Sequence, residues 1–116
     1  MKEIKAYIKT DRVQKVVQAM EHAGAPGITV VEVHPVGYGF DANYFSRARE
    51  TTKRYFGVTK IEVVANDGDV HRFVEIIRNQ AHTGSKGDGM IFVTPVEMAV
   101  KIKTGAIGEE GLQEGK

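Results

Sequence analysis

The residues with the clearest chemical potential stand together at Thr83-Gly84-Ser85-Lys86-Gly87-Asp88-Gly89. Glycines this dense let a backbone turn its N–H groups into a concavity, and such concavities hold phosphate oxygens. The spacing is not that of a Walker loop, G-x-x-x-x-G-K-[ST], and the segment runs from a helical pattern into a strand, the reverse of the Walker order. A phosphate bound here depends on backbone donors together with cations, for which Lys86, Lys101 and Lys103 are the candidates. Lys101 and Lys103 alternate with Ile102, which puts both ammonium groups on one side of an expected strand. The plain alternative is a loop that only joins a helix to a strand.

Residues 37–57 hold a second unusual set. Tyr38, Phe40, Tyr44, Phe45, Tyr55 and Phe56 interleave with Arg47, Arg49, Lys53 and Arg54, against the acids Asp41 and Glu50. Aromatic faces beside cations stack on nucleotides, grip single-stranded RNA or dock on a protein. The alternative folds the rings back on the domain. Tyr38, Phe40, Tyr44, Phe45, Arg47 and Arg49 are the expected partner contacts. A loop of this length in a compact domain is functional, disordered or a misread element. His22, His34, His71 and His82 form no i, i+4 pair and no H-x-H set, so no metal site is expected within one chain. Asp67 and Asp69 stand before a helical stripe, which makes capping their expected role rather than acid–base chemistry.

The elements that must position these residues follow from periodicity. Ile4, Ala6 and Ile8 alternate with polar neighbours and predict a half-buried strand. Asp11, with Gln14 three residues on, has capping-box spacing, and Val13, Val16, Val17 and Met20 form one helical stripe. Gly24 closes that helix, Pro26-Gly27 turns the chain, and residues 28–33 are β-branched strand. The scheme repeats with a strand over 60–65, a helical stripe at Val70, Phe73, Val74, Ile77 and Ala81, and a strand over 90–93. Val96, Met98, Val100 and Ile102 alternate with Glu97, Ala99, Lys101 and Lys103, predicting a short further strand or hairpin. Two βαβ units give a ferredoxin-like α+β domain, an antiparallel sheet with two helices on one face. The strand over 28–33 is apolar on both sides and calls for subunit association. One domain over 1–104 is expected, with 37–57 a long effector loop and 105–116 a flexible Gly- and Glu-rich tail.

Composition narrows the function classes. Lysine plus arginine number 16 and aspartate plus glutamate 15, a net charge of +1, too balanced for a protein that wraps duplex nucleic acid. With no cysteine there is no disulfide, thiol nucleophile or thiolate metal site. No apolar run approaches the roughly 20 residues of a membrane span and no leader pattern is visible, so a cytoplasmic protein is expected.

Thr83-Gly84-x-x-Gly87-Asp88-Gly89, followed by Ile91-Phe92-Val93 and Lys101-Ile102-Lys103-Thr104-Gly105, resembles the C-terminal signature of the PII signal-transduction proteins. Gly24, Gly27-x-Thr29-Val30-x-Glu32-Val33, Gly37 and Lys60-Ile61-Glu62-x-Val64 fit the same family, which is followed along the chain from Met1 to about Gly105. The resemblance implies a ferredoxin-like homotrimer that binds adenine nucleotides in clefts between subunits, with no prosthetic group and no catalytic residues. Such a protein is a regulator, not an enzyme. It reports energy, nitrogen or carbon status by rearranging its long loop, which docks on a protein target such as a transporter or metabolic enzyme. On the same resemblance Gly87, Asp88 and Gly89 hold phosphates, Thr29 and Val64 lie near the adenine, and Glu62 lies near the ribose. Gly27 reaches the phosphates from a neighbouring chain, and Gly37 starts the loop that responds to ligand. Lys101 and Lys103 stand where the family usually has arginine, which keeps the charge and loses the bidentate fork.

The departures from the family pattern carry their own expectations. Met90 replaces a phosphate-binding lysine, Gly39 a glutamine that helps hold magnesium and 2-oxoglutarate, Val58 a lysine that pairs with a 2-oxoglutarate carboxylate, and Thr51 a tyrosine that some members have uridylylated. Weak or absent 2-oxoglutarate binding follows, with no uridylylation at position 51. ADP, AMP or ATP is the expected ligand, with a narrowed preference for the triphosphate. Carbon-uptake or carboxysome relatives offer bicarbonate as an alternative co-effector. Two other classes stay open on the residues alone, an RNA-binding module and a nucleotide-hydrolysing ferredoxin-fold protein. Nucleic acid is not the expected partner, and membrane contact is expected only through a transporter.

Overall fold

The alternation at Ile4, Ala6 and Ile8 becomes β1 (Lys2–Lys9), with these three side chains buried on one face and their neighbours half-exposed on the other. The structure, a computed structural model, describes residues 1–37 and 57–113. From β1 the chain passes through a 3-10 turn (Thr10–Arg12) into α1 (Val13–His22), where Val16 and Met20 are buried and Val13 and Val17 pack beside them. The expected capping bond from Asp11 is not made. Arg12, the residue before the helix, is already near helical geometry (φ −97°, ψ −8°), so the 3-10 turn takes the place of a side-chain cap. Gly24 ends the helix at φ +87°, its N–H donating to Glu21 O at 3.0 Å while Ala25 N–H donates to Met20 O at 3.0 Å, a Schellman closure.

β2 (Thr29–Val33) follows, then β3 (Val58–Ala65), α2 (Asp67–Ala81) and β4 (Met90–Pro95). The sheet order is β2-β3-β1-β4 and every pair is antiparallel. Phe73, Ile77 and Ala81 of α2 join Val16 and Met20 of α1 over Ile4, Ala6, Ile8, Ile61, Val63 and Ala65, so both helices cover one face. This is the ferredoxin-like double βαβ expected from the two stripes. β2 is an edge strand, with Val30 49% and Val31 39% exposed, so nothing within the described residues buries its second apolar face.

Each helix has its C-terminal carbonyl taken by an arginine from beside the other. Arg12 Nε and Nη2 donate to Gln80 O at 3.0 and 2.7 Å, and Arg72 Nη1 donates to Ala23 O at 2.8 Å. Orphan carbonyls at the negative ends of both helix dipoles are thereby satisfied by cations. Asp67 and Asp69 lie in the first turn of α2 without capping it. Asp67 pairs with the amino group of Met1 at 2.9 Å and Asp69 with Arg72 at 3.2 Å.

The alternating run 96–103 does not extend into a strand. β4 ends at Pro95 opposite Lys2, the first residue of β1, and one further bond, Val96 N–H to Met1 O at 3.1 Å, closes the ladder, so residues beyond 96 have no β1 residue to pair with. The chain instead makes a short hairpin closed by a single bridge between Val100 and Ile107, around a turn in which Gly105 N–H donates to Lys101 O at 2.7 Å. Residues 108–112, within the segment expected to be a tail, form a 3-10 turn (Gly108–Leu112). Among the described residues no helix is long and apolar enough to cross a membrane.

Candidate functional site

The glycine-rich segment joins the end of α2 to the start of β4, and three of its glycines take left-handed backbone: Gly84 at φ +84°, Gly87 at +87° and Gly89 at +104°. Gly89 is required on a second ground. A Cβ there would stand 1.7 Å from Tyr7 O, so the loop re-enters the sheet by lying against the backbone of β1. The first two amides of the loop are taken by the loop's own acid. Asp88 Oδ2 accepts from the amides of Thr83 and Gly84, both at 2.9 Å. Its Oδ1 accepts a short hydrogen bond from the Thr83 hydroxyl and lies 3.2 Å from Lys9 Nζ. Lys9 also donates to Thr83 Oγ1 at 3.2 Å, and His82 Nδ1 is 3.6 Å from Asp88 Oδ2.

Partial burial alone would raise the Asp88 carboxyl. The hydrogen bonds from the Thr83 hydroxyl, the Thr83 and Gly84 amides and the Lys9 ammonium outweigh it and hold the group well below the usual carboxylate range. Asp88 is therefore an ionised internal acceptor. Lys86 at the tip of the loop is exposed, and Gly87 and Gly89 flank Asp88 in left-handed backbone. Behind Asp88 and Gly89 lies a hollow of 380 Å³ walled mainly by apolar side chains of β1, α2 and β4, with Arg78, His82 and Met90 also lining it.

A second hollow, of 340 Å³, brings together Gly27, Thr29, Glu62 and Val64 with Glu3, Pro26, Gly111 and Leu112. Sheet register explains the grouping: Thr29 is opposite Glu62, and Glu3 is opposite Val64. Its lining has two carboxylates and no cation. Glu62 is 3.5 Å from Lys60 Nζ and Glu3 is 3.6 Å from Lys5 Nζ, each a long contact that leaves acceptor capacity toward the hollow.

The expected site residues thus divide into two groups. Gly27, Thr29, Glu62 and Val64 share the hollow at β2 and β3, while Gly87, Asp88 and Gly89 precede β4 at the far edge. Three strand spacings separate the two edges, roughly 14 Å. Neither of the two hollows contains both groups. Lys101 is committed elsewhere, its Nζ donating to Gln113 O at 2.6 Å, and Lys103 is exposed in the hairpin turn rather than beside Lys101 on a strand. Gly37 is exposed at φ +97° and lines neither hollow. Met90 is 44% exposed at the start of β4, and Val58 is 1% exposed between Lys9 and Val33 in the sheet. Tyr38, Phe40, Tyr44, Phe45, Arg47 and Arg49, with Gly39 and Thr51, lie outside the described residues.

Four participants were not singled out from sequence: Lys9, Glu3, Gly111 and Leu112. Lys9 sits on the solvent-side parity of β1, where a lysine is unremarkable until Thr83 and Asp88 of the distant loop close on it. The last two lie in a Gly- and Glu-rich stretch whose composition points away from structure.

The family model described as nitrogen regulatory protein P-II matches residues 1–106. Nitrogen regulatory protein P-II of Azospirillum brasilense is 41% identical over 112 residues, covering 97% of this chain and 100% of the relative. Nitrogen regulatory protein P-II 2 of Methanothermobacter thermautotrophicus is 40% identical over 112 residues, 97% of each chain. The protein of the first name from Mesorhizobium japonicum is 38% identical over the same length, 97% of this chain and 100% of its own.

Proposed function

The chain belongs to the nitrogen regulatory protein P-II family, signal-transduction regulators of nitrogen metabolism, and we propose that this member reads adenine nucleotides bound between copies of itself. The division of the candidate site between the two sheet edges carries the reading. A nucleotide is uncharged at its base and ribose and anionic at its phosphates. The hollow at β2 and β3, with Glu3, Glu62 and no lining cation, suits hydroxyl and amine donors and repels phosphate. The loop before β4, with Gly87 and Gly89 in left-handed backbone and Lys86 at its tip, suits phosphate oxygens.

A ligand using both ends takes them from two copies. A closed ring in which the β2 edge of each protomer meets the β4 edge of the next uses every edge once, and a homotrimer is the assembly proposed. Exposed Val30 and Val31 on one edge, and Met90 and Val93 on the other, add the apolar area such contacts need. The nucleotide is read rather than turned over, and loop 37–57 passes its state to a protein target.

Met90 supplies no cation to the phosphate end, and Val58 is sealed in the sheet. Each charge-assisted bond so lost is worth about 1.5–3 kcal/mol, so 2-oxoglutarate binds weakly or not at all. Sedimentation with calorimetry on AMP, ADP and ATP, each repeated with 2-oxoglutarate or bicarbonate, tests the reading. A trimer with nucleotide heats, unaffected by 2-oxoglutarate and without phosphate release from ATP, is expected. A monomer, or no nucleotide heat, overturns it.

A further inference from the structure

The hollow at Gly27, Thr29, Glu62 and Val64 has a wall from the far end of the described chain. Gly111 and Leu112, at the end of the 3-10 turn, close it from the C-terminal side. The chain is held in that place by two backbone bonds and one lysine side chain. Gly108 N–H donates to Ala99 O at 2.9 Å, Lys101 N–H to Ala106 O at 2.9 Å, and the Lys101 ammonium to Gln113 O at 2.6 Å. Gly111 packs so closely that a Cβ there would be 3.0 Å from Ala106 O. Leu112 also lines a second, polar hollow of 510 Å³ with Glu21, Asn66 and Asp69, so it stands with Pro26 between the two spaces.

Val64 and Leu112 are the branched aliphatic side chains in the lining, with Pro26 beside them. A flat, uncharged ring is held by apolar surface together with a few polar acceptors, and at 340 Å³ the hollow is at the small end of ligand pockets, about 300–1,000 Å³. We propose that Leu112 is a ligand-binding residue of the nucleotide site, the apolar wall against which the purine packs, held in position by the 3-10 turn Gly108–Leu112. This rests on the adenine-nucleotide reading above and adds to it a residue of the same chain as Thr29 and Glu62.

Calorimetry of ADP binding to the full chain, as wild type, Leu112→Ala and Leu112→Ile, tests the assignment, with sedimentation and urea unfolding as structural controls. Leu112→Ala is expected to weaken ADP on the order of tenfold. Leu112→Ile should recover most of the loss, with assembly and unfolding midpoint unchanged in both variants. A Leu112→Ala protein that binds ADP as the wild type does, or that loses binding only together with its assembly, overturns the assignment and leaves the nucleotide reading standing. A wild type that gives no ADP heat overturns the nucleotide reading itself, and this assignment with it.

Discussion

Lys9 Nζ lies 3.2 Å from Asp88 Oδ1, and this contact ties the last residue of β1 to the loop that enters β4. The same carboxylate gathers the Thr83 and Gly84 amides, so an internal negative charge organises the first half of the loop.

Acid titration reads that arrangement directly. The Asp88 carboxyl is depressed in the folded protein relative to its ordinary value of about 3.8. The unfolded chain then binds more protons between the two values, so the stabilisation is fully present above pH 4 and is lost as pH falls through the depressed value. Asp88→Asn removes this dependence. The stability difference between wild type and variant, measured by urea unfolding at each pH, is expected to be constant from pH 7 to about pH 5 and to shrink below pH 4. Faster amide exchange at Thr83 and Gly84 in the variant is the local counterpart.

Gly89→Ala is expected to destabilise the fold by at least about 2 kcal/mol. The new Cβ meets Tyr7 O at 1.7 Å on a backbone at φ +104°. Gly27→Ala, with nothing within 4 Å of its Cβ, should leave stability within about 0.5 kcal/mol. Denaturant midpoints of the two variants make the comparison.

Arg12→Met leaves the Gln80 carbonyl without its guanidinium and is expected to cost about 1–2 kcal/mol in urea unfolding. Arg72→Met, whose contact with Ala23 O is exposed, should cost less than about 1 kcal/mol. Equal costs would show that exposure is not what separates the two contacts.

Val31→Lys places a charge on the exposed β2 edge. The protomer should unfold as before, while self-association weakens on the order of tenfold or more, read by sedimentation across a dilution series. An unchanged association constant would count against the edge contact proposed for the ring.

The parts of this fold governed by local periodicity were legible in the residues. Ile4, Ala6 and Ile8 announce β1, and Phe73, Ile77 and Ala81 announce the buried stripe of α2, because burial of one face leaves its period in the chain. Gly27, Thr29, Glu62 and Val64, named from resemblance, do share one hollow. What was not legible depends on contacts between distant segments. Asp88 turning back onto Thr83 is a matter of loop conformation, and a carboxylate beside glycines reads equally well as a ligand contact. Lys101 and Lys103 looked strand-like because alternation cannot register that β1, the strand beside β4, has no residues left to pair with beyond Val96. Leu112 was hidden because its order comes from Ala99, Ala106 and Lys101, which local composition does not record.

The interleaved sheet order has a consequence for how the molecule comes apart. Strands β1 and β2, from the first βαβ unit, are separated by β3, and β3 and β4, from the second, are separated by β1. Neither half possesses a hydrogen-bonded strand pair of its own, and each helix end is finished by an arginine belonging to the other half. The apparent duplication is therefore not modular. Amide exchange in β1 and β3 should report a single global opening, with no state in which one repeat survives the melting of its twin.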